Sequence, residues 1–226
     1  MQQPQGESMY WIAFGDVHES TAAMADIPGI REAAGVIVTG DLTNCGGKTQ
    51  AGRVLEAIRT LNPVIHAQPG NMDTQEVTRF LEESGVMLHR QVRELAPDLC
   101  LIGVGYSTPT PFNTPGEVPE TDIAAWLDEL DEASAGYSHR ILAIHEPPGE
   151  SALDVVGGGQ HVGSAAVRSF IEKARLDLVI TGHIHEAKGR DDIGGTPVFN
   201  PGMVAGGGFV RIEFADGKVA ATLESV

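Results

Sequence analysis

An α/β fold opening with a parallel sheet covered by helices is predicted by two features of the chain. Short apolar or β-branched runs alternate with stretches of helical spacing over the first 84 residues, and each run leads into a glycine followed by Asp or Asn. Toward the C-terminus this alternation gives way to short strands separated by glycine turns. At 226 residues the chain can bury a substantial core, and no repeat, linker or composition break divides it. One domain over 1–226 is expected, with residues 1–7 a short polar tail.

Taken in order, residues 9–14 form a buried-strand candidate, and a helical stretch follows from Ser20, a capping residue type. Residues 35–39 (G-V-I-V-T) are short and β-branched, and residues 49–61 have helical spacing. Residues 63–67 read as a strand, and Thr74 is placed to cap a helix over 75–84. Residues 98–105 read as another strand. Residues 106–119 carry four prolines and no periodicity, the mark of a long loop of the kind that often serves as a lid. Helices fit 121–132 and 164–174, strands fit 140–145 and 176–181, and 196–200, 208–214 and 219–223 read as antiparallel strands.

Fifteen basic against 31 acidic residues give a formal net charge of -16. That balance opposes binding to a nucleic-acid polymer, which requires clustered Lys and Arg. Small anionic substrates stay compatible with it, because bound divalent ions reverse the local field. Cys45 and Cys100 are the only cysteines and nothing pairs them, so a reducing cytoplasm is expected. The run at 9–14 is too short for a signal peptide or anchor, and no other run approaches membrane-spanning length. A soluble protein with no membrane partner is expected. The oligomeric state is not written in the sequence.

Seven side chains able to ligate metals follow the strand-like runs: Asp16 and His18 in G-D-V-H, Asp41 in G-D-L-T-N, Asn71 in G-N-M-D, His145 in A-I-H-E, and His183 and His185 in G-H-I-H. Ligands at the C-terminal ends of parallel strands converge on one crevice. Asp16 and His18 are two apart and share a side in a regular strand; carboxylate plus imidazole suits borderline transition metals. Gly40 permits a sharp turn before Asp41, whose carboxylate is able to bridge two ions. The Asn71 amide oxygen ligates without adding charge. His183 and His185 share a face, with Ile184 turned to the core. Each fragment also has an ordinary reading: surface coincidence for D-x-H, a helix cap for G-D, a turn for Asn71, core packing for His145. The order and number of the fragments are what favour metal binding.

The whole set resembles the calcineurin-like metallophosphoesterases, over nearly the full chain. It most resembles the small phosphoesterases related to the Icc cyclic-nucleotide phosphodiesterases, through T-P-F-N-T-P-G-E (110–117), H-V-G-S (161–164), G-H-I-H-E (182–186) and N-P-G (200–202). The resemblance implies a four-layer α/β/β/α sandwich of two mixed sheets. It also implies two divalent ions per chain, one held by Asp16, His18, Asp41 and His185 and the other by Asp41, Asn71, His145 and His183. Asp, Asn and His accept Mn, Fe, Zn or Ni alike. The implied substrate is a small phosphate ester, attacked by a hydroxide bridging ions roughly 3.5–4 Å apart.

Most superfamily members carry histidine after the asparagine, in G-N-H-D or G-N-H-E; here that residue is Met72. A thioether has no proton to give. The usual general-acid contribution, about 10²–10⁴-fold, is then missing unless another group supplies it. Aryl phosphodiesters, with good leaving groups, suffer least. Asp73 is left with no histidine to orient and is expected to be structural. His161, in a glycine-rich loop, is the substitute donor, with a helix-entry contact as its alternative. Phe112 on the proline-rich loop is expected to pack, with contact to an apolar leaving group as the second reading. The arginine that protein Ser/Thr phosphatases carry after the bridging aspartate is absent from L-T-N-C-G-G. His66, His89 and His139 match no motif, and Cys45 has no activating neighbour.

Overall fold

The computed structural model describes residues 8–226, so the tail expected over 1–7 lies outside the described residues. In chain order the strands and helices are β1 (Met9–Phe14), β2 (Gly35–Val38), α1 (Lys48–Leu61), β3 (Ile65–Ala67), α2 (Gln75–Glu83), β4 (Gln91–Ala96) and β5 (Leu99–Val104). There follow α3 (Glu120–Ser134), β6 (His139–Ile144), β7 (Val155–Val156), β8 (Gln160–His161), α4 (Ala165–Lys173), β9 (Leu178–Ile180), β10 (Gly189–Ile193), β11 (Thr196–Asn200), β12 (Gly208–Ala215) and β13 (Lys218–Ser225).

These strands build two large mixed sheets. The first has the order β13-β12-β1-β2-β3, with β1, β2 and β3 parallel and β12 and β13 antiparallel. The second has the order β10-β11-β9-β6-β5-β4, a parallel centre closed by an antiparallel strand at each edge. Alternation along the strands sorts the core into layers. Trp11, Ala13 and Ile37 of the first sheet meet Leu99, Leu101, Ile141, Ala143 and Ile180 of the second. Ile12, Phe14, Val36 and Val38 face the opposite way, onto Val54, Leu55 and Ile58 of α1 and Val77 and Leu81 of α2. On the far side, Ile102, Val104, Leu142 and Ile144 pack on Ile123 and Leu127 of α3 and Val167 and Ile171 of α4. The four layers are helix, sheet, sheet and helix, the sandwich that the resemblance implies.

Local differences from expectation have local causes. The helix expected from Ser20 is a single 3-10 turn, Ala22–Asp26, with Thr21 at its N-cap; Pro28 and Gly29 leave no room to extend it. Thr74 does stand at the N-cap of α2, but its hydroxyl donates to the Gly46 carbonyl instead of capping. Among the C-terminal strands, β12 and β13 are antiparallel as expected, and β11 is antiparallel to β10 on one side but parallel to β9 on the other. No helix among the described residues is long and apolar enough to cross a membrane.

Candidate metal centre

The ends of five strands drawn from both sheets, β1, β2, β3, β6 and β9, feed one site. Asp16, His18, Asp41 and His183 all take positive φ, at 49°, 46°, 54° and 69°. Asp16 and His18 therefore lie beyond the strand in left-handed turns, not along a regular strand face. Each such residue costs on the order of 1 kcal/mol, tolerable only where the surroundings dictate it. They do here: the amides of Asp16, Val17, His18 and Glu19 donate to the carbonyls of Gly40, Asp41, Asp41 and Leu42 at 2.8–3.0 Å. Gly40 has φ 133°, and a Cβ there would meet His145 Nδ1 at 2.5 Å.

Two groups of ligand atoms result, with Asp41 common to both. In the first, one ligand atom from each of Asp16, His18, Asp41 and His185 lies within 4.8 Å of the others. His18 Nε2 stands 3.1 Å from His185 Nε2 and 3.7 Å from Asp41 Oδ2, and His185 Nε2 stands 3.2 Å from Asp16 Oδ1. In the second, Asn71 Oδ1 is 3.0 Å from His145 Nε2 and 2.7 Å from His183 Nδ1, while His145 Nε2 is 3.5 Å from Asp41 Oδ2. The His145 Nδ1–H donates to the Thr39 carbonyl at 3.2 Å, which leaves the Nε2 lone pair facing the cluster. Adjacent ligands on a first-row ion are separated by roughly 3–3.5 Å, given bonds of about 2.0–2.2 Å. The donor atoms are spaced to fit such ions.

The charge balance points the same way. Asp16 and Asp41 are buried, and among the described residues neither is paired with Lys or Arg. Burial opposes ionisation of Asp41, yet His145 and His18 hold its carboxyl below the usual range. Burial likewise disfavours the His145 imidazolium, but the Asp41, Asp16 and Asp73 carboxylates outweigh it and push His145 up to about 9. His183, buried and beside His145, is pushed down to about 4. Two buried carboxylates whose only ion-pair partners among the described residues are imidazoles demand cationic charge. A divalent ion would supply it and would displace the proton.

Asp73 has the structural role expected of it. Its buried carboxylate accepts from the amides of Leu42, Thr43 and Gly70 at 2.9, 2.8 and 3.0 Å and from the Thr43 hydroxyl at 2.9 Å. It ties the loop carrying Asp41 to the loop carrying Asn71. Burial and the Asp41 charge push it up to about 6, so at pH 7.5 it is still the anion its donors require. Asp73→Asn turns an amide group toward N–H donors and should cost about 2–3 kcal/mol. At about 2–4 °C per kcal/mol, metal-free protein should melt roughly 4–12 °C lower. An unchanged melting temperature would remove Asp73 from this role.

Met72 sits between the two loops by its backbone: its N–H donates to Asp41 Oδ1 at 2.7 Å and its carbonyl accepts from the Cys45 amide at 3.0 Å. Cys45 is exposed and Cys100 buried, and both are free thiols. The loop over 106–119 is strapped down. Buried Glu146 accepts from the Thr108 amide and hydroxyl, and the Gly116 amide donates to the Asn71 carbonyl. Phe112 at its tip is 80% exposed, so the expected packing role is wrong: the ring has no core to enter because the strap holds the tip outward.

His161 is not hydrogen-bonded to any of the seven. It lies on the β7–β8 hairpin, which packs beside the His185–Ala187 turn. Its Nδ1 is 2.7 Å from Oδ1 of buried Asp154, which also accepts from the amides of Glu150, Ser151 and Gly163. This Asp154 bond holds the His161 imidazole above its usual range. The proton on such a raised histidine favours the folded state fully below the unfolded pKa, and the gain is lost as pH rises through the folded pKa. A proton-NMR titration should place His161 above about 6.5, and Asp154→Asn should return it there. An unshifted wild-type titration would contradict the pairing.

The remaining histidines are not hydrogen-bonded to any of the seven. His89 Nδ1 accepts from the Gly105 amide, and its ring stacks edge-on against Tyr106 and Trp126. Burial, with Arg90 beside it, pushes it down to about 4. His139 pairs with Asp177 at 3.0 Å, and burial lowers His66 on β3.

Known proteins carry the same frame. The chain is 33% identical over 184 residues to the uncharacterized protein MJ1162 of Methanocaldococcus jannaschii, a match spanning 77% of this chain and 81% of that one. The crystal structure of TT1561 of Thermus thermophilus superposes with a TM-score of 0.70 at 17% identity, covering 95% of this chain and 98% of the other. A dimetal phosphatase from Danio rerio superposes at 0.60 with 12% identity, over 96% and 98% of the two chains. The family model of calcineurin-like phosphoesterases matches residues 9–187, a span that contains all seven clustered side chains. The chain belongs to the calcineurin-like phosphoesterase family.

Proposed function

We propose that the protein is a dinuclear metal-dependent phosphoesterase acting on phosphodiesters or activated small phosphate esters, akin to the small Icc-related enzymes. One observation carries this reading: two groups of spaced ligand atoms share the single carboxylate of Asp41. Bound ions supply Lewis-acid charge for phosphoryl oxygens and lower the pKa of water to about 7. The chain's own part is to hold seven ligands at strand ends, four of them in left-handed backbone, to fix the His145 tautomer through Thr39, and to clamp the two loops through Asp73. It places a thioether where relatives of this type place an imidazole, so no proton donor stands beside Asn71 in the chain. Esters whose leaving groups depart without protonation are therefore favoured. The exposed Phe112 ring suits an apolar leaving group.

Hydrolysis of bis-p-nitrophenyl phosphate with added Mn²⁺ tests the reading. Turnover in protein holding two ions per chain supports it. No turnover with Mn, Fe, Zn or Ni in such protein would sink it in favour of the second reading, a metal-binding interaction module, which Met72 favours. For leaving groups that do need a proton, the candidate donor is His161, held by Asp154. His161→Ala should slow alkyl esters more than aryl ones, and an unchanged profile would retire it.

A further inference from the structure

The 106–119 loop touches the metal centre through one side chain with a defined hydrogen-bond polarity. The Glu117 carboxylate accepts from the Thr110 hydroxyl at 2.5 Å, the Thr114 amide at 2.7 Å and the Thr114 hydroxyl at 2.7 Å. Burial opposes its ionisation, but these donors hold it below the usual carboxylate range, so it is an anion that only accepts. A threonine hydroxyl has one proton. With that proton given to Glu117, Thr114 Oγ1 has only lone pairs left, and it accepts from Asn71 Nδ2 at 3.0 Å. The opposite end of the amide, Oδ1, then faces His145 Nε2 and His183 Nδ1. Rotating the amide by half a turn would set oxygen against oxygen at Thr114 and put an NH₂ group where a ligand oxygen is needed.

The backbone reinforces the contact. The Gly116 amide donates to the Asn71 carbonyl at 2.8 Å, and the Tyr106 amide to the Pro69 carbonyl at 3.0 Å. A Cβ on Gly116 would meet the Gly70 carbonyl oxygen at 2.5 Å and Asn71 Cα at 3.0 Å, so only glycine lets the strands of chain approach this closely.

We propose that Thr114, polarised by Glu117, is a positioning residue that aims Asn71 Oδ1 at the ion held with His145, His183 and Asp41. The proline-rich loop is on this account a fixed wall of the metal site, not a swinging lid. The inference rests on the two-ion reading above. Partners that orient metal ligands typically contribute 10–100-fold in affinity.

The test is a calorimetric titration of metal-free full-length protein with Mn²⁺, resolving both ions, alongside circular dichroism. Thr114→Val keeps shape and removes the acceptor. It should weaken one ion about 10–100-fold and leave the other within about threefold. Thr114→Ser restores the hydroxyl and should restore the weakened ion; a merely space-filling role would not discriminate Ser from Val in this way. If Thr114→Val does not fold, Glu117→Gln, which leaves Thr114 in place and unpolarised, should weaken the same single ion. Wild-type affinity for both ions in folded Thr114→Val, or equal loss of both, overturns the proposal, as does wild-type protein that takes up one ion only. Wild-type protein that binds two ions and hydrolyses no ester defeats the function reading and leaves this proposal standing.

Discussion

Asp41→Asn is expected, on the proposed dinuclear reading, to abolish the two-ion state and lower phosphodiesterase activity by about 10²–10⁴-fold. Among the described residues Asp41 is the one carboxylate within reach of both imidazole groups, 3.7 Å from His18 and 3.5 Å from His145. It also accepts the Met72 amide, so its position is set from the Asn71 loop as well as its own. Removing one charge from a buried pair costs about 3–5 kcal/mol, and each ~1.4 kcal/mol is tenfold in an equilibrium or rate. The isosteric amide keeps the shape and the Met72 bond, so the loss measures charge rather than collapse. Metal content per chain, read by elemental analysis after dialysis against Mn²⁺, should fall from two to one or none. Two retained ions with unchanged turnover would show that Asp41 bridges nothing.

How far this centre is legible in the sequence depends on what kind of contact holds each part. The ligands are legible because each ends a run such as I-L-A-I-H or G-V-I-V-T-G-D, and a strand end is a place. Sheet membership is not. The runs that form β2 and β6 look alike, yet β2 belongs to the first sheet and β6 to the second, a choice made by packing across Ile37 and Ile141. The edge strands β4 (Q-V-R-E-L-A) and β10 (G-R-D-D-I) escape notice because one or both faces meet solvent, which removes the apolar run that marks a strand. Of the site's supports, Asp73 is visible as an acid without a histidine. Its partners Leu42 and Thr43 lie about 30 residues away and are joined through backbone amides, which carry no sequence signature. The Glu117–Thr114–Asn71 chain is hidden for the same reason: T-P-F-N-T-P-G-E shows the residues but not which proton goes where.

On the proposed phosphoesterase reading, Met72→His should raise phosphomonoesterase activity more than phosphodiesterase activity, but by only about tenfold, short of the 10²–10⁴ that a well-placed general acid contributes. An imidazole at this position would point where Met72 points, since the backbone there is held by Asp41 on one side and Cys45 on the other. A catalytic imidazole also needs a partner to fix its tautomer and ring orientation. The residue placed to do so, Asp73, already accepts from Leu42, Thr43 twice and Gly70, and withdrawing it would release the Asp41 loop. The new histidine thus gains a proton to donate without gaining an orienting partner. Steady-state rates on p-nitrophenyl phosphate, an alkyl monoester and bis-p-nitrophenyl phosphate decide the point, with the alkyl monoester gaining most. Equal gains on all three would mean that the thioether does not set the leaving-group preference. A gain near 10³ would mean that Asp73 can serve the imidazole and the loops together.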